Sequence, residues 1–274
     1  MFKTSITKML AAPLTAALLL AGAGTASAVS LKISITNNSG VGGLTLTPLY
    51  TAFHDGTFDT FDTGSAASAG IEALAEDGNF MPIRDARMAS HPSSQGAVIT
   101  APQGFAGAPL IEPGETGFVV VDVDSKNQFF SYLSMILPSN DQFIGNGNAT
   151  AHQIFDASGN FLGNQTINIT GLNAYDAGTE VNDGLGSPFA QTGPGAASDE
   201  GGVVTLASGI DNFAGITLPN GQVLDLGAIN YAGNGNFDLA TISIAAVPVP
   251  AALPLMLGGL GLMGFAARRR KPQA

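Results

Sequence analysis

Phe118-Val119-Val120-Val121-Asp122-Val123-Asp124 and, after a short polar break, Phe129-Phe130-Ser131-Tyr132-Leu133-Ser134-Met135-Ile136-Leu137 are the runs that decide the fold. The first alternates apolar and polar residues towards its end, the period-two signature of a half-buried strand. The second is mostly apolar, which suits a central strand covered on both faces. Leu31-Lys32-Ile33-Ser34-Ile35-Thr36 alternates in the same way, and Asn37-Asn38-Ser39-Gly40 after it reads as a turn. Leu44 to Phe53 is a further strand candidate in which Pro48 implies an edge or a bulge. Ile167 to Leu172, Val203 to Leu206 and Thr241 to Ala246 complete the set, with Ile242 and Ile244 on one face. Strands that follow one another without intervening helices imply an all-β, antiparallel sandwich. One helix is expected, within Ser65 to Asp77: Ser68 can cap it, Ile71, Leu74 and Ala75 recur at helical spacing, and Gly78 can end it. Residues 183–202, rich in Gly, Pro and Ser, read as a long loop.

Composition agrees with this reading. Of the 274 residues, 45% are hydrophobic and only 11% are charged, too apolar for a disordered chain. The 36 glycines and 15 prolines suit strands joined by turns. There is no cysteine, which excludes a thiol nucleophile, a disulfide framework and a thiolate metal site. Between residues 29 and 246 only Lys32, Arg84, Arg87 and Lys126 face all 21 acidic residues, a net charge of −17. Such a body repels nucleic acid and attracts cations.

The two ends read as addresses. Lys3 and Lys8, the apolar stretch Met9–Ala21 and the small residues Ala26-Ser27-Ala28 form a secretory signal over residues 1–28. At the other end, Val247-Pro248-Val249-Pro250 precedes an apolar stretch from Ala251 to Ala267, which closes with Arg268-Arg269-Arg270-Lys271. Those 17 residues lie near the lower limit for a transmembrane helix, with the basic cluster on the cytoplasmic side. Residues 247–274 resemble the PEP-CTERM sorting signal in its VPxPA variant, with Val249 where Leu is common. The resemblance implies a bacterium with an outer membrane and transient anchorage in the inner membrane. It also implies recognition by an exosortase, cleavage near Val247–Pro250, and delivery to the cell surface or the extracellular matrix.

Within residues 29–246 the aspartates carry the chemistry. Asp122 and Asp124 leave one face of a strand; Asp141 follows the apolar run; Asp176 opens Asp176-Ala177-Gly178-Thr179-Glu180. Each lies at or near a strand end, and in a sandwich such ends gather at one pole. Carboxylates gathered there repel one another, and Ca²⁺, which takes six to eight hard oxygen ligands, removes that cost. With scattered His54, His91 and His152, zinc is a poorer match. Aspartate is also the ordinary residue of turns, where it caps and forms Asx-turns.

Several motifs resemble the spondin domain. They are His54 after the second strand, Gly64-Ser65-Ala66-Ala67-Ser68, and Leu74-Ala75-Glu76-Asp77-Gly78, followed by Ser131 to Asp141 with its Pro138-Ser139-Asn140-Asp141, and Asp176-Ala177-Gly178-Thr179-Glu180. The resemblance runs from about residue 33 to about residue 210. It implies a C2-like antiparallel β-sandwich with one calcium site, carried by Asp122, Asp141 and Asp176, with Asp124 as the competitor of Asp122. Gln142 departs from the pattern, since an aromatic residue usually follows the motif aspartate.

Three readings of function follow. The first is a calcium-binding adhesion or matrix module, not an enzyme, that contacts extracellular polysaccharide, matrix or a surface protein. The second is a hydrolase of exopolysaccharide, which requires a carboxylate pair outside the calcium shell; Asp55, Asp59 and Asp62 are candidates by proximity alone. A purely structural matrix protein is a third reading. His54 reads as structural.

Overall fold

The structure, a computed structural model, describes residues 28–101, 109–189, 191–218 and 220–248. The expected signal through residue 27 and the apolar span 251–267 lie outside the described residues. Among the described residues no helix is long and apolar enough to cross a membrane.

The chain forms two antiparallel sheets. Strands β1 (Val29–Asn37), β5 (Thr116–Val123), β8 (Gln165–Thr170) and β11 (Asp238–Ala246) make a four-stranded sheet in the order β5-β1-β11-β8. The second sheet holds seven strands: β2 (Thr45–Leu46), β3 (Leu49–His54), β4 (Gln95–Ile99), β6 (Phe129–Leu137), β7 (Gln142–Gly145), β9 (Ala174–Asp176) and β10 (Thr205–Leu206). Its order is β10-β9-β7-β6-β3-β4, with β2 also paired to β6.

The alternation seen in the sequence becomes the main core. Leu31, Ile33 and Ile35 of β1, Ile167 and Ile169 of β8, and Ile242 and Ile244 of β11 turn inwards. They meet Leu49, Phe53, Phe130, Tyr132, Ile136 and Ile144 of the other sheet. Burial of each such side chain contributes about 1.5–3 kcal/mol, so this interface is the main source of stability. The outer face of the larger sheet is covered as well. Leu133 of β6 and Phe143 of β7 pack with Ile71, Leu74 and Ala75 of helix α1 (Ala69–Asp77) and Ile83 of helix α2 (Met81–Ser90). Strand β6 is therefore buried on both faces, which explains its unbroken apolar run.

Helix α1 begins where Ser68 Oγ accepts the Ile71 amide at 3.3 Å and ends at Gly78, at φ 67°. Helix α2 is an addition to the single helix expected. Its buried face consists of Ile83 and Arg87 alone, too little for a periodic signal. Arg87 is buried beside the sheet, its Nε donating to Tyr50 Oη at 2.7 Å. Pro48 falls between β2 and β3, both of which pair with β6. It interrupts the ladder and does not mark an edge, since β3 lies between β6 and β4.

Candidate metal centre

Asp141 lies in the turn from β6 to β7. The turn follows a cis Leu137–Pro138 peptide and is closed by Ser139, whose Oγ accepts the Gln142 amide at 3.0 Å. Across the β7–β9 ladder Gln142 faces Asp176, so the register sets Asp141 beside Asp176. The Ala177 amide then donates to the Asp141 carbonyl at 3.1 Å. After Asp176 the chain reverses at Gly178, where φ is 69°. That reversal aims the amides of Thr179 and Glu180 at Asp141 Oδ2, at 2.8 and 3.1 Å. Asp176 Oδ1 accepts the Gly178 amide at 2.9 Å.

A third acid comes from the long loop. The Glu200 amide donates to the Thr179 carbonyl at 2.8 Å, and the Gly202 amide to the Gly178 carbonyl at 2.7 Å. This laces residues 200–202 against the Asp-Ala-Gly-Thr turn. Gly178 is required here: a Cβ would stand 2.6 Å from the Val203 amide nitrogen. Asp141, Asp176 and Glu200 can each offer a carboxylate oxygen within 4.8 Å of the others.

Asp141 is fully buried, Asp176 half-buried and Glu200 exposed. Burial, reinforced by the charges of Asp141 and Glu200, pushes the Asp176 carboxyl up to about 6 despite the Gly178 amide. No cationic side chain relieves the group, since the one ion pair among the described residues is Arg84–Asp85 on α2. Asn182 Nδ2 bridges the two aspartates, at 2.6 Å from Asp141 Oδ1 and 3.0 Å from Asp176 Oδ2. An open cleft of about 370 Å³ adjoins the group, lined in part by Glu72, Glu76, Thr179, Glu180 and Asp199. Burial and the neighbouring acid Glu76 push Glu180 up to about 7.

The donor set suits a hard divalent cation. It is made of carboxylates with no imidazole or thiolate. Asp141, Asp176 and Glu200 would hold such an ion, and its charge would offset their repulsion. The group as it stands fixes no single metal.

Two of the three expected ligands meet, and the third does not join them. Asp122 lies exposed on the edge strand β5 of the other sheet and accepts from Ser30 Oγ. Its rival Asp124 accepts the Lys126 amide at 3.0 Å in the turn to β6. Glu200 takes the third place, and neither it nor Asn182 was marked by the sequence. Glu200 comes from a loop without hydrophobic period, so the adjacent acids Asp199-Glu200 were its only local signal.

The other candidates are elsewhere. Asp55 Oδ1 accepts the Thr57 amide at 3.0 Å. Asp59 is raised by burial and by the Asp62 charge. His54 is buried, with the Gly56 amide donating to its Nδ1 at 3.2 Å. The ring proton therefore belongs on Nε2, which donates to Ser131 Oγ at 2.9 Å. In that tautomer His54 cannot take a proton from Ser131.

Residues 43–199 match the Spondin_N family model, and residues 246–271 match the PEP-CTERM protein-sorting motif. No curated protein matches the chain. The sorting motif implies processing by an exosortase-type enzyme and marks an exported protein of the cell surface or extracellular space. The Spondin_N match spans more than half of the chain and includes Asp141, Asp176 and the Asp-Ala-Gly-Thr turn, with Glu200 just beyond its end, and the chain belongs to the Spondin_N family.

Proposed function

We propose that this exported β-sandwich binds calcium through Asp141, Asp176 and Glu200 and uses that pole to contact polysaccharide, matrix or another surface protein. The observation that carries the reading is the convergence of three carboxylates with no cationic side chain among them. The hydrogen bonds that Asp141 and Asp176 accept leave the negative charge of the group uncompensated, and a bound divalent cation offsets that repulsion. When bound, calcium supplies charge neutralisation and a rigid link between the β6–β7 turn, the Asp-Ala-Gly-Thr turn and the 199–202 strip. Hydrogen bonds already join these three segments, and the ion would add a link that orders a contact surface at this pole. Binding also stabilises the fold by mass action, about 2.7 kcal/mol at a hundred times Kd.

Support for a binding module over a hydrolase comes from Asp55 and His54. Asp55 is committed to a turn with Thr57, and the tautomer of His54 leaves Ser131 without a base. The test is calorimetric titration of calcium into the exported protein, followed by calcium-dependent binding to purified matrix polysaccharide. One-site binding supports the metal reading. Polysaccharide capture lost on chelation supports the contact pole, whereas sugar release from the matrix would favour the hydrolase.

A further inference from the structure

We propose that Asn182 sets the cation affinity of this centre and couples cation binding to the loop that carries it, an inference that rests on the calcium reading above. One amide group spans two acids: Asn182 Nδ2 donates to Asp141 Oδ1 at 2.6 Å and to Asp176 Oδ2 at 3.0 Å. A cation drawn to the same carboxylates competes for those oxygens, and its charge repels the amide protons. The amide cannot turn over to offer its oxygen instead. Asn182 Oδ1 accepts the Asn140 backbone amide at 2.8 Å, so turnover would set two N–H donors against each other. Asn182 therefore withdraws when a cation binds.

Its withdrawal is not local. The Asn140 side chain fastens the same loop, donating to the Leu185 carbonyl at 2.9 Å and accepting the Gly184 amide at 3.0 Å. Ser187 Oγ ties the loop to the Ser139 carbonyl at 2.9 Å, and Asn212 Nδ2 donates to the Asn182 carbonyl at 2.9 Å. The loop from Asn182 to Ser187 is thus held against the β6–β7 turn by a network that begins at the metal-facing amide. Cation binding breaks the first bond of that network and frees the loop from Asn182 to Ser187, while the ion fixes the three segments that carry its ligands.

Calcium titrated calorimetrically into the exported protein and into two variants tests the proposal. Asn182→Ala removes the competing donor and is expected to lower Kd about tenfold, the scale of a hydrogen bond to a charged group. Asn182→Asp keeps an acceptor for the Asn140 amide, replaces the donor with a fourth carboxylate, and is expected to lower Kd further. In the unaltered protein, calcium should shift the Asn182 side-chain amide resonances and speed hydrogen exchange at Gly184. Unchanged or weaker binding in both variants would overturn the proposal while leaving calcium binding intact, and so would amide signals that do not move. Failure of the unaltered protein to bind calcium would remove the metal reading and this one with it.

Discussion

The Tyr231 hydroxyl donates to Gln142 Oε1, joining residues 89 apart in the chain directly beside the acidic centre. Gln142 Nε2 is used as well, donating to the Gly209 carbonyl at 3.0 Å. Gln142, where the spondin resemblance implies an aromatic residue, lies within the matched span, and Tyr231 lies outside it. Both residues are almost wholly buried. Tyr231→Phe would leave Gln142 Oε1 buried without a donor, at a cost of about 1–3 kcal/mol. Urea denaturation should show that loss, and adding Gln142→Met to the variant should recover part of it. Equal stability of the single variant and the unaltered protein would mean that the bond contributes nothing.

Replacement of the three converging acids separates the centre found in the structure from the one expected in the sequence. Asp141→Asn, Asp176→Asn and Glu200→Gln should each weaken calcium binding at least tenfold, the scale of a lost charged ligand in a three-carboxylate site. Asp122→Asn should leave the affinity unchanged, because Asp122 lies on the other sheet and bonds to Ser30. Calorimetry of the four variants decides between Glu200 and Asp122 as the third ligand.

Acid should displace the ion. With its carboxyl pushed up to about 6, Asp176 holds a proton at pH values where an ordinary aspartate is ionised. Calcium needs the ionised form, so binding must expel that proton below pH 6. Affinity is expected to be highest above pH 7 and to fall by about tenfold per pH unit below 6. Titrations in buffers of differing ionisation heat would reveal the proton released, and pH-independent affinity down to pH 5 would contradict the mechanism.

What was legible in the sequence follows from what is periodic. Strands β1, β5, β6 and β11 announce themselves because one or both faces are buried at a spacing of two. Helix α1 carries its own caps in Ser68 and Gly78. Strands β4, β7 and β9 are short and flanked by polar turns, and α2 buries one isoleucine and one arginine, so neither periodicity nor composition separates them from loop. Asp141 and Asp176 were marked by motifs at strand ends. Glu200 and Asn182 owe their places to backbone pairing between segments about twenty residues apart, and no local pattern encodes that pairing.

Gly178 is where that pairing is most exposed to change. Its φ of 69° disfavours any side chain, and a Cβ would also press on Val203 nitrogen and oxygen, at 2.6 and 2.7 Å. Gly178→Ala is expected to cost about 2 kcal/mol or more and to weaken calcium binding, since Glu200 reaches the centre through this turn. Thermal unfolding with and without calcium measures both. A variant that lost stability but bound calcium normally would show that Glu200 is positioned independently of the turn.

His54 gives a pH dependence of opposite character to the acids. Its neutral ring is fixed from both sides, with Nδ1 accepting the Gly56 amide and Nε2 donating to Ser131. Protonation would place a second N–H against the Gly56 donor inside a buried pocket. Burial accordingly lowers its pKa to about 4, against the opposing pull of the Asp55 charge. The unfolded chain, with an ordinary histidine near 6.5, binds more protons than the folded one between pH 4 and 6.5. The stability that His54 contributes is therefore complete above pH 6.5 and is lost as pH falls through that window, about 1–2 kcal/mol between pH 7 and pH 5 after allowance for solvent screening. Asp176 and Glu180, raised to about 6 and 7, slope the other way, so the total does not isolate the histidine. His54→Gln keeps a donor and an acceptor without a titratable group. The difference in unfolding free energy between the two proteins should narrow from pH 7 to pH 5, because only the unaltered protein loses the histidine contribution. A difference that stayed constant across that range would mean that His54 titrates alike in the folded and unfolded chains.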